Sequence, residues 1–382
     1  MIPVLGDVLL GAATGDREPF SDAAGRARAS LGLPSVRCWC VVLVDGLGWH
    51  NLSGRGEHAP FLTGQLTAQT GAGAPVTKLA ATLPTSTATN LSYLGTAQRA
   101  GATAMLGYAV RNPATAGLLN LISWNGGADP GTWQREPTVF EQMLASGSLA
   151  VSIGPWQFED SGLTVAALRG ARYHPAESLP ARVDTAIAQL RDPGVDLVYL
   201  YWGELDSIAH QHGWEGADWA GGLARLDSEL ERLARLLPLG TGMLVTADHG
   251  MIDIPRQEMD DRAGRIDAAT HPELSRGVDL IGGEDRFRHV YTREPEVVAA
   301  RWAEVLGTRA VVLTRADAIA ADYFGPVAPH AEEIIGDVVV ATQGRVAIQD
   351  SAQQSAASLG LVGMHGSTSA VEQDVPLVAV LG

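Results

Sequence analysis

Two hydrophobic patterns alternate along the chain. RCWCVVLVDG (37–46) is a near-continuous apolar run, the signature of a strand whose sheet is covered by helices on both faces. TAMLGYAV (103–110), SLAVSIG (148–154) and DLVYLYWG (196–203) read as further strands, and GMLVTADHG (242–250) as a strand running into a loop. Between them, TNLSYLGTAQRA after Thr87 and ARVDTAIAQLRD (181–192) carry helical patterns. The clearest helix spans Asp218 to Leu237, where Trp219, Leu223, Leu226, Leu230, Leu233 and Leu237 form one apolar stripe opposite Arg, Asp and Glu. Pro238 and Gly240 end it. Alternating strands and helices predict a three-layer α/β/α fold with a mostly parallel central sheet.

The pattern changes between Met251 and Met364. RQEMDDRAGRID (256–267) is polar, FRHVYT (287–292) resembles an isolated strand, EPEVVAARWAEVLG (294–307) a helix, and GDVVVATQGRVAIQ (336–349) a hairpin. The expected organisation is an α/β core from residues 1–250 and 364–382, with a smaller α+β insertion over 251–363.

Composition narrows the options. With 382 residues, 46% hydrophobic and 18% charged, the chain can bury a substantial core. Its net charge of −16 excludes a broad nucleic-acid surface, which needs clustered Lys and Arg. A small anionic substrate stays compatible if bound cations reverse the local field. The N-terminus lacks the basic start and long apolar run of a signal peptide, and no stretch approaches the ~18 apolar residues of a membrane span. Cys38 and Cys40 sit two apart on a buried strand, where disulfide geometry is rare. Reduced packing residues and a cytoplasmic location are expected.

Five patches carry candidate chemistry, most at predicted strand ends, where α/β folds assemble their sites. They are Asp45 in VVLVDG, the hydroxyls of PTSTATN, Asp206 and His210 in ELDSIAH, Asp248 and His249 in TADHG, and His365 in GMHGS. Each has a plain structural explanation: an Asp-Gly turn, a helix N-cap, an i,i+4 helix-surface pair. Together they are hard to assign to packing, because buried Asp and His are costly unless paired or metal-bound.

In their order and spacing these motifs resemble the alkaline phosphatase superfamily, specifically its nucleotide pyrophosphatase/phosphodiesterase branch, from about Arg37 to the C-terminus. The resemblance implies a metal-dependent hydrolase of phosphodiester or pyrophosphate bonds in small substrates. Asp206, His210 and His365 would hold one divalent ion; Asp45, Asp248 and His249 would hold the other, with Thr87 completing it. The nitrogen and oxygen donors suit Zn²⁺, with Mn²⁺ or Fe as alternatives. Two such ions ~4 Å apart can clamp both sides of an in-line displacement. Thr87 would be the nucleophile, forming a phospho-threonine intermediate, with Thr85, Ser86 and Thr89 as rivals chosen against by the resemblance.

Some residues stay open at this stage. Asn90 is either a substrate contact or a residue that fixes the loop. Tyr108 occupies the place where the branch has an Asn that binds the phosphoryl oxygen, so it is either the replacement donor or a core aromatic. His212 neighbours His210; His50, His58, His174 and His330 default to the surface. Arg288 and His289 either reach over the site or lie on a solvated strand face. Trp202, Trp214 and Trp219 either stack on a leaving group or pack in the core. A monoesterase would need an added Lys or Arg, for which Arg111 and Arg135 are candidates. The alternatives are a phosphomonoesterase, a phosphonoacetate-hydrolase-like enzyme, or a non-catalytic metal-stabilised binding protein. Oligomeric state has no signature.

Overall fold

The computed structural model describes residues 3–71, 76–254 and 264–382; residues 256–263 of the polar RQEMDDRAGRID stretch lie outside them. The strands used below are β1 (Cys38–Val44), β2 (Ala150–Gly154), β3 (Arg172–Pro175), β4 (Leu197–Trp202), β5 (Thr241–Thr246), β6 (Leu280–Glu284), β7 (Phe287–Tyr291), β8 (Ala310–Thr314), β9 (Val338–Thr342) and β10 (Val378–Leu381). The helices are α1 (Thr87–Thr96), α2 (Leu179–Arg191), α3 (Glu204–His212), α4 (Ala217–Arg235) and α5 (Pro295–Leu306).

The main sheet has the order β10-β5-β1-β4-β2-β3. Every residue of β1 is buried; because successive side chains point to opposite faces, both faces of the sheet are covered there. β1 pairs in parallel with β4 and with β5, β2 is parallel to β3 and β4, and β10 closes one edge antiparallel to β5. The carboxyl ends of β1, β4 and β5 therefore lie side by side. The apolar stripe of α4 is the core face foreseen: Trp219, Leu223, Leu226, Leu230 and Leu233 are fully buried, each worth roughly 1.5–3 kcal/mol relative to exposure.

A second sheet, β6-β7-β9-β8, is wholly antiparallel and is covered by α5, whose Trp302 is fully buried. A buried bidentate ion pair ties it to the chain beyond His365: Arg286 Nε and Nη2 donate to Glu372 Oε1 and Oε2 at 2.7 and 2.9 Å. Glu372 Oε1 also accepts from the Ser367 backbone amide, so the same carboxylate shapes the terminal His-Gly loop.

Two sequence expectations are corrected. TAMLGYAV does not form a main-sheet strand. Ala100–Thr103 is a helical turn, Gly107 takes φ +121, and only Ala109–Arg111 is extended, paired with Leu118–Asn120. Nor is GDVVVATQGRVAIQ a hairpin: β9 pairs with β7 and β8, while Ala347–Gln349 pairs in parallel with Arg265–Asp267. The alternation signalled two strands, but the turn at Gly344 (φ +60) delivers them to different partners.

Candidate metal centre and nucleophile

Asp45 follows β1, Asp248 lies two residues past β5, and Asp206 and His210 project from α3 directly after β4. Gly46 makes the turn after Asp45 with φ +74, and its amide donates to Asp248 Oδ1 at 3.2 Å. His365 is brought in by the returning chain. The Val362 amide donates to the His210 carbonyl, and Gly363 passes so close to α3 that a Cβ there would stand 2.5 Å from the Ala209 oxygen. Only glycine fits that approach.

The three histidines share one arrangement. Nδ1 of His210 faces the Gly363 carbonyl at 2.8 Å, Nδ1 of His365 the Thr85 carbonyl at 2.7 Å, and Nδ1 of His249 the Gly250 carbonyl at 3.1 Å. A carbonyl only accepts, so each Nδ1 carries the proton and each Nε2 lone pair is left for a ligand. The three aspartates are complementary. Asp45 Oδ2 accepts from Tyr201 Oη at 2.6 Å, and Asp248 Oδ1 accepts from the amides of Gly46 and His249. Asp45 Oδ1, Asp206 Oδ1 and Asp248 Oδ2 are buried with no hydrogen-bond partner. These orphaned oxygens stand 3.4–3.5 Å from histidine Nε2 atoms: Asp45 and Asp248 from His249, Asp206 from His210.

Anionic oxygens and nitrogen lone pairs without donors are unfavourable in a dry interior. Burial first, then the Asp248 and Asp206 charges, push the Asp45 carboxyl well above its usual range, against the Tyr201 hydrogen bond. Burial also raises Asp248, with His249 pulling it back. His365 is held well below the ordinary imidazole value by burial and then by His249 and His210, which keeps it a neutral donor of its lone pair. Divalent cations would supply the missing partner of all six atoms. Asp206, His210 and His365 form one group with ligand atoms within 4.8 Å of one another; Asp45, Asp206 and His249 form a second. Asp206 thus lies beside both. The donor set is N and O without thiolate, which fits Zn²⁺, Mn²⁺ or Fe.

Thr87 opens α1, with Ser86 as the extended N-cap. Its Oγ1 is 3.2 Å from His249 Nε2, on a cavity of about 1030 Å³ that Asp45, Asp206, His210 and His365 also line. Of its rivals, Thr85 Oγ1 is bound between the Ser367 carbonyl and the Gly366 amide, and Thr89 Oγ1 donates to the Met105 carbonyl. Ser86 lines the cavity beside Thr87.

A model of the type I phosphodiesterase / nucleotide pyrophosphatase family matches residues 39–368. The chain belongs to that family. The family is described by its phosphodiesterase and nucleotide pyrophosphatase members, which are hydrolases. Among curated relatives, human ectonucleotide pyrophosphatase/phosphodiesterase family member 7 is 29% identical over 150 residues, covering 37% of this chain and 31% of that protein. The rat protein of the same name is 26% identical over 144 residues. The match spans about a third of each curated relative's length. The fold is shared with murine ectonucleotide pyrophosphatase/phosphodiesterase 5, an inactive variant in complex with AMP (TM-score 0.68, 16% identity, 89% of this chain and 87% of that one). It is also shared with Sinorhizobium meliloti phosphonoacetate hydrolase in complex with phosphonoformate (TM-score 0.69, 18% identity, 91% and 90%).

The remaining candidates separate clearly. Asn90 is fully buried; its Oδ1 accepts from the Thr82 amide and its Nδ2 donates to the carbonyls of Thr82, Pro84 and Ser86. Its polar atoms are spent on fixing the nucleophile loop rather than on the cavity. Tyr108 is not a core aromatic: it is 48% exposed and lines the cavity. Arg288 and His289 do not lie on a solvated face, because β7 is buried throughout. His289 is bound between the Leu106 carbonyl and the Gly336 amide, while Arg288 lines the cavity with its guanidinium committed to Asp285, Gln354 and the Ile348 carbonyl. Trp202 and Trp219 are buried and Trp214 packs edge-on against Trp219. Arg111 binds the Glu333 carbonyl and Arg135 the Thr132 carbonyl. Cys38 and Cys40 are free and buried. No helix among the described residues is long and apolar enough to cross a membrane.

Sequence reasoning missed Tyr201 and Glu284. Tyr201 alternates with Tyr199 on a buried strand and carries no mark of its hydrogen bond to Asp45. Glu284 had one readable signal, a charged pair set immediately after Gly282 and Gly283.

Proposed function

We propose that the protein hydrolyses phosphodiester or pyrophosphate bonds in small, nucleotide-type or related substrates, with Thr87 as nucleophile and two divalent ions, best fitted by Zn²⁺, held by the six Asp and His ligands. The observation that carries this reading is the Thr87 hydroxyl on the cavity wall, 3.2 Å from His249 Nε2, beside carboxylate oxygens that no protein group satisfies.

When bound, the ions would supply Lewis-acid stabilisation of phosphoryl and leaving-group oxygens and favour the ionised forms of the hydroxyl and water. The chain supplies the rest. Asp45 is oriented by Tyr201, and the histidines are turned by the carbonyls behind them. The amide end of α1 faces the negative charge that develops on the phosphoryl oxygens. Thr87 Oγ1 forms the bond to phosphorus as the ester oxygen departs; water then cleaves the phospho-threonine ester and returns the hydroxyl. The cavity wall also includes Leu91, Ile153, Phe158, Leu163 and Tyr173, an apolar surface for an organic ester group. Among the described lining residues Arg288 is the one Lys or Arg, and it is already paired. That favours a singly charged diester over a doubly charged monoester. Two free, buried cysteines fit assembly in a reducing, cytoplasmic setting.

The test is hydrolysis of bis-p-nitrophenyl phosphate as a function of metal content. Turnover rising with occupancy to two ions per chain is expected. Turnover unchanged by complete chelation would overturn the reading.

A further inference from the structure

Glu284 lines the cavity and has no part in the metal centre. Glu284 ends β6, on the second sheet, and its carboxyl reaches across to the nucleophile loop. A Cβ at Gly107 would stand 2.9 Å from its Oε2, and one at Gly366 would stand 3.1 Å from its Cβ; both neighbours are glycines at positive φ. The Ser86 hydroxyl and the Tyr108 backbone amide lie alongside the carboxyl. Both carboxyl oxygens are buried, and the Ser86 hydroxyl and the Tyr108 amide favour the charged form against that burial.

Neither of the arginines that follow it in sequence forms an ion pair with it. Arg288 is occupied by Asp285, Gln354 and Ile348, and Arg286 by Glu372. A buried carboxylate without an ion-pair partner among the described residues directs its potential into the cavity, where low dielectric lengthens its reach. Burial raises this carboxyl to about 7, so above pH 8 it is charged.

We propose that Glu284 is a specificity-determining residue: its carboxylate, set beside Ser86 on the cavity that Thr87 also lines, discriminates against phosphoryl groups that carry two negative charges and so selects for diesters. The role rests on the hydrolase reading above. A second negative charge on the substrate faces Glu284 in a cavity where Arg288, the one Lys or Arg among the described lining residues, is already paired, whereas a diester presents an organic group in its place.

The experiment compares metal-loaded wild type with Glu284→Gln at pH 8.5, measuring kcat/KM for bis-p-nitrophenyl phosphate and for p-nitrophenyl phosphate, and inorganic phosphate binding by calorimetry. The expected result is a fall of at least about tenfold in the diester-to-monoester ratio. The monoester should gain in absolute rate and phosphate should bind at least about tenfold tighter. Glu284→Asp, which keeps the charge, should stay within about threefold of wild type. A purely structural role would lower both esters together and leave the ratio unchanged, and a ratio within about twofold of wild type overturns the proposal. If Glu284→Gln does not fold, Glu284→Ser makes the same comparison. Phosphate binding separates the two claims. A wild type that turns over neither ester refutes the hydrolase reading, while unaltered phosphate affinity in the variant refutes the role of Glu284.

Discussion

Replacing Tyr201 with Phe removes one hydroxyl from behind Asp45. That hydroxyl donates to Asp45 Oδ2 at 2.6 Å, a short bond to a charged acceptor, the kind worth about 1.5–3 kcal/mol. Burial and then the Asp45 charge push the phenol well above its ordinary value, so it remains a donor over any working pH. The ring keeps its edge-on packing against Phe158, with centroids 5.8 Å apart, so the variant alters chemistry without altering shape. Asp45 would be left with no donor on either oxygen and free to rotate. Loss of such a supporting bond costs roughly 10–100-fold in metal affinity, or about 1.4–2.7 kcal/mol, in line with the bond removed. The loss should fall on the ion beside Asp45 and His249 and spare the one held by Asp206, His210 and His365. A chelator-competition titration of the apo-protein with Zn²⁺ resolves the two sites. Two affinities both within about threefold of wild type, or a loss confined to the other ion, would refute the reasoning.

The buried Arg286–Glu372 pair has both side chains fully excluded from solvent, so Arg286→Met strands a carboxylate and should destabilise the fold by about 3–5 kcal/mol; equilibrium denaturant unfolding measures it, and a loss below about 1 kcal/mol would contradict the burial argument. His289 is fully buried, and burial lowers it to about 4 from an ordinary 6.5. Its neutral form is the stable one, so the unfolded chain takes up the proton first as pH falls. Stability present above pH 6.5 should decline by about 3 kcal/mol as pH drops toward 4. His289→Gln, which can still donate to Leu106 and accept from Gly336, should flatten that decline; an unchanged slope between pH 6.5 and 4 would count against it.

Where the chemistry is local, it was legible in the sequence. Asp45, Asp206, Asp248 and their histidines follow strands or open helices, and an apolar strand ending in an acid is conspicuous because burial of a charge is costly. The α4 stripe was equally plain, because its period is set by one helix. The rest depended on partners far apart in sequence. Alternation in 336–349 gave strand character but not the choice of neighbour, which Gly344 and the packing of β7 decide. Asn90 sits among hydroxyls like a substrate ligand, yet its four hydrogen bonds all go to the surrounding loop. Glu284 is 197 residues from Thr87 by number (284 − 87), and no local pattern links them; the second sheet does.

The most direct test of the central claim is Thr87→Ala, with metal content and bis-p-nitrophenyl phosphate turnover measured on the same samples as wild type. Thr87 is half-buried at the first turn of α1 and its hydroxyl makes no backbone bond, so the variant should fold and bind metal. The expected result is two ions per chain in both proteins and a fall in turnover of at least about 10³-fold in the variant. Turnover within about tenfold of wild type at equal metal content would show that Thr87 is not the nucleophile.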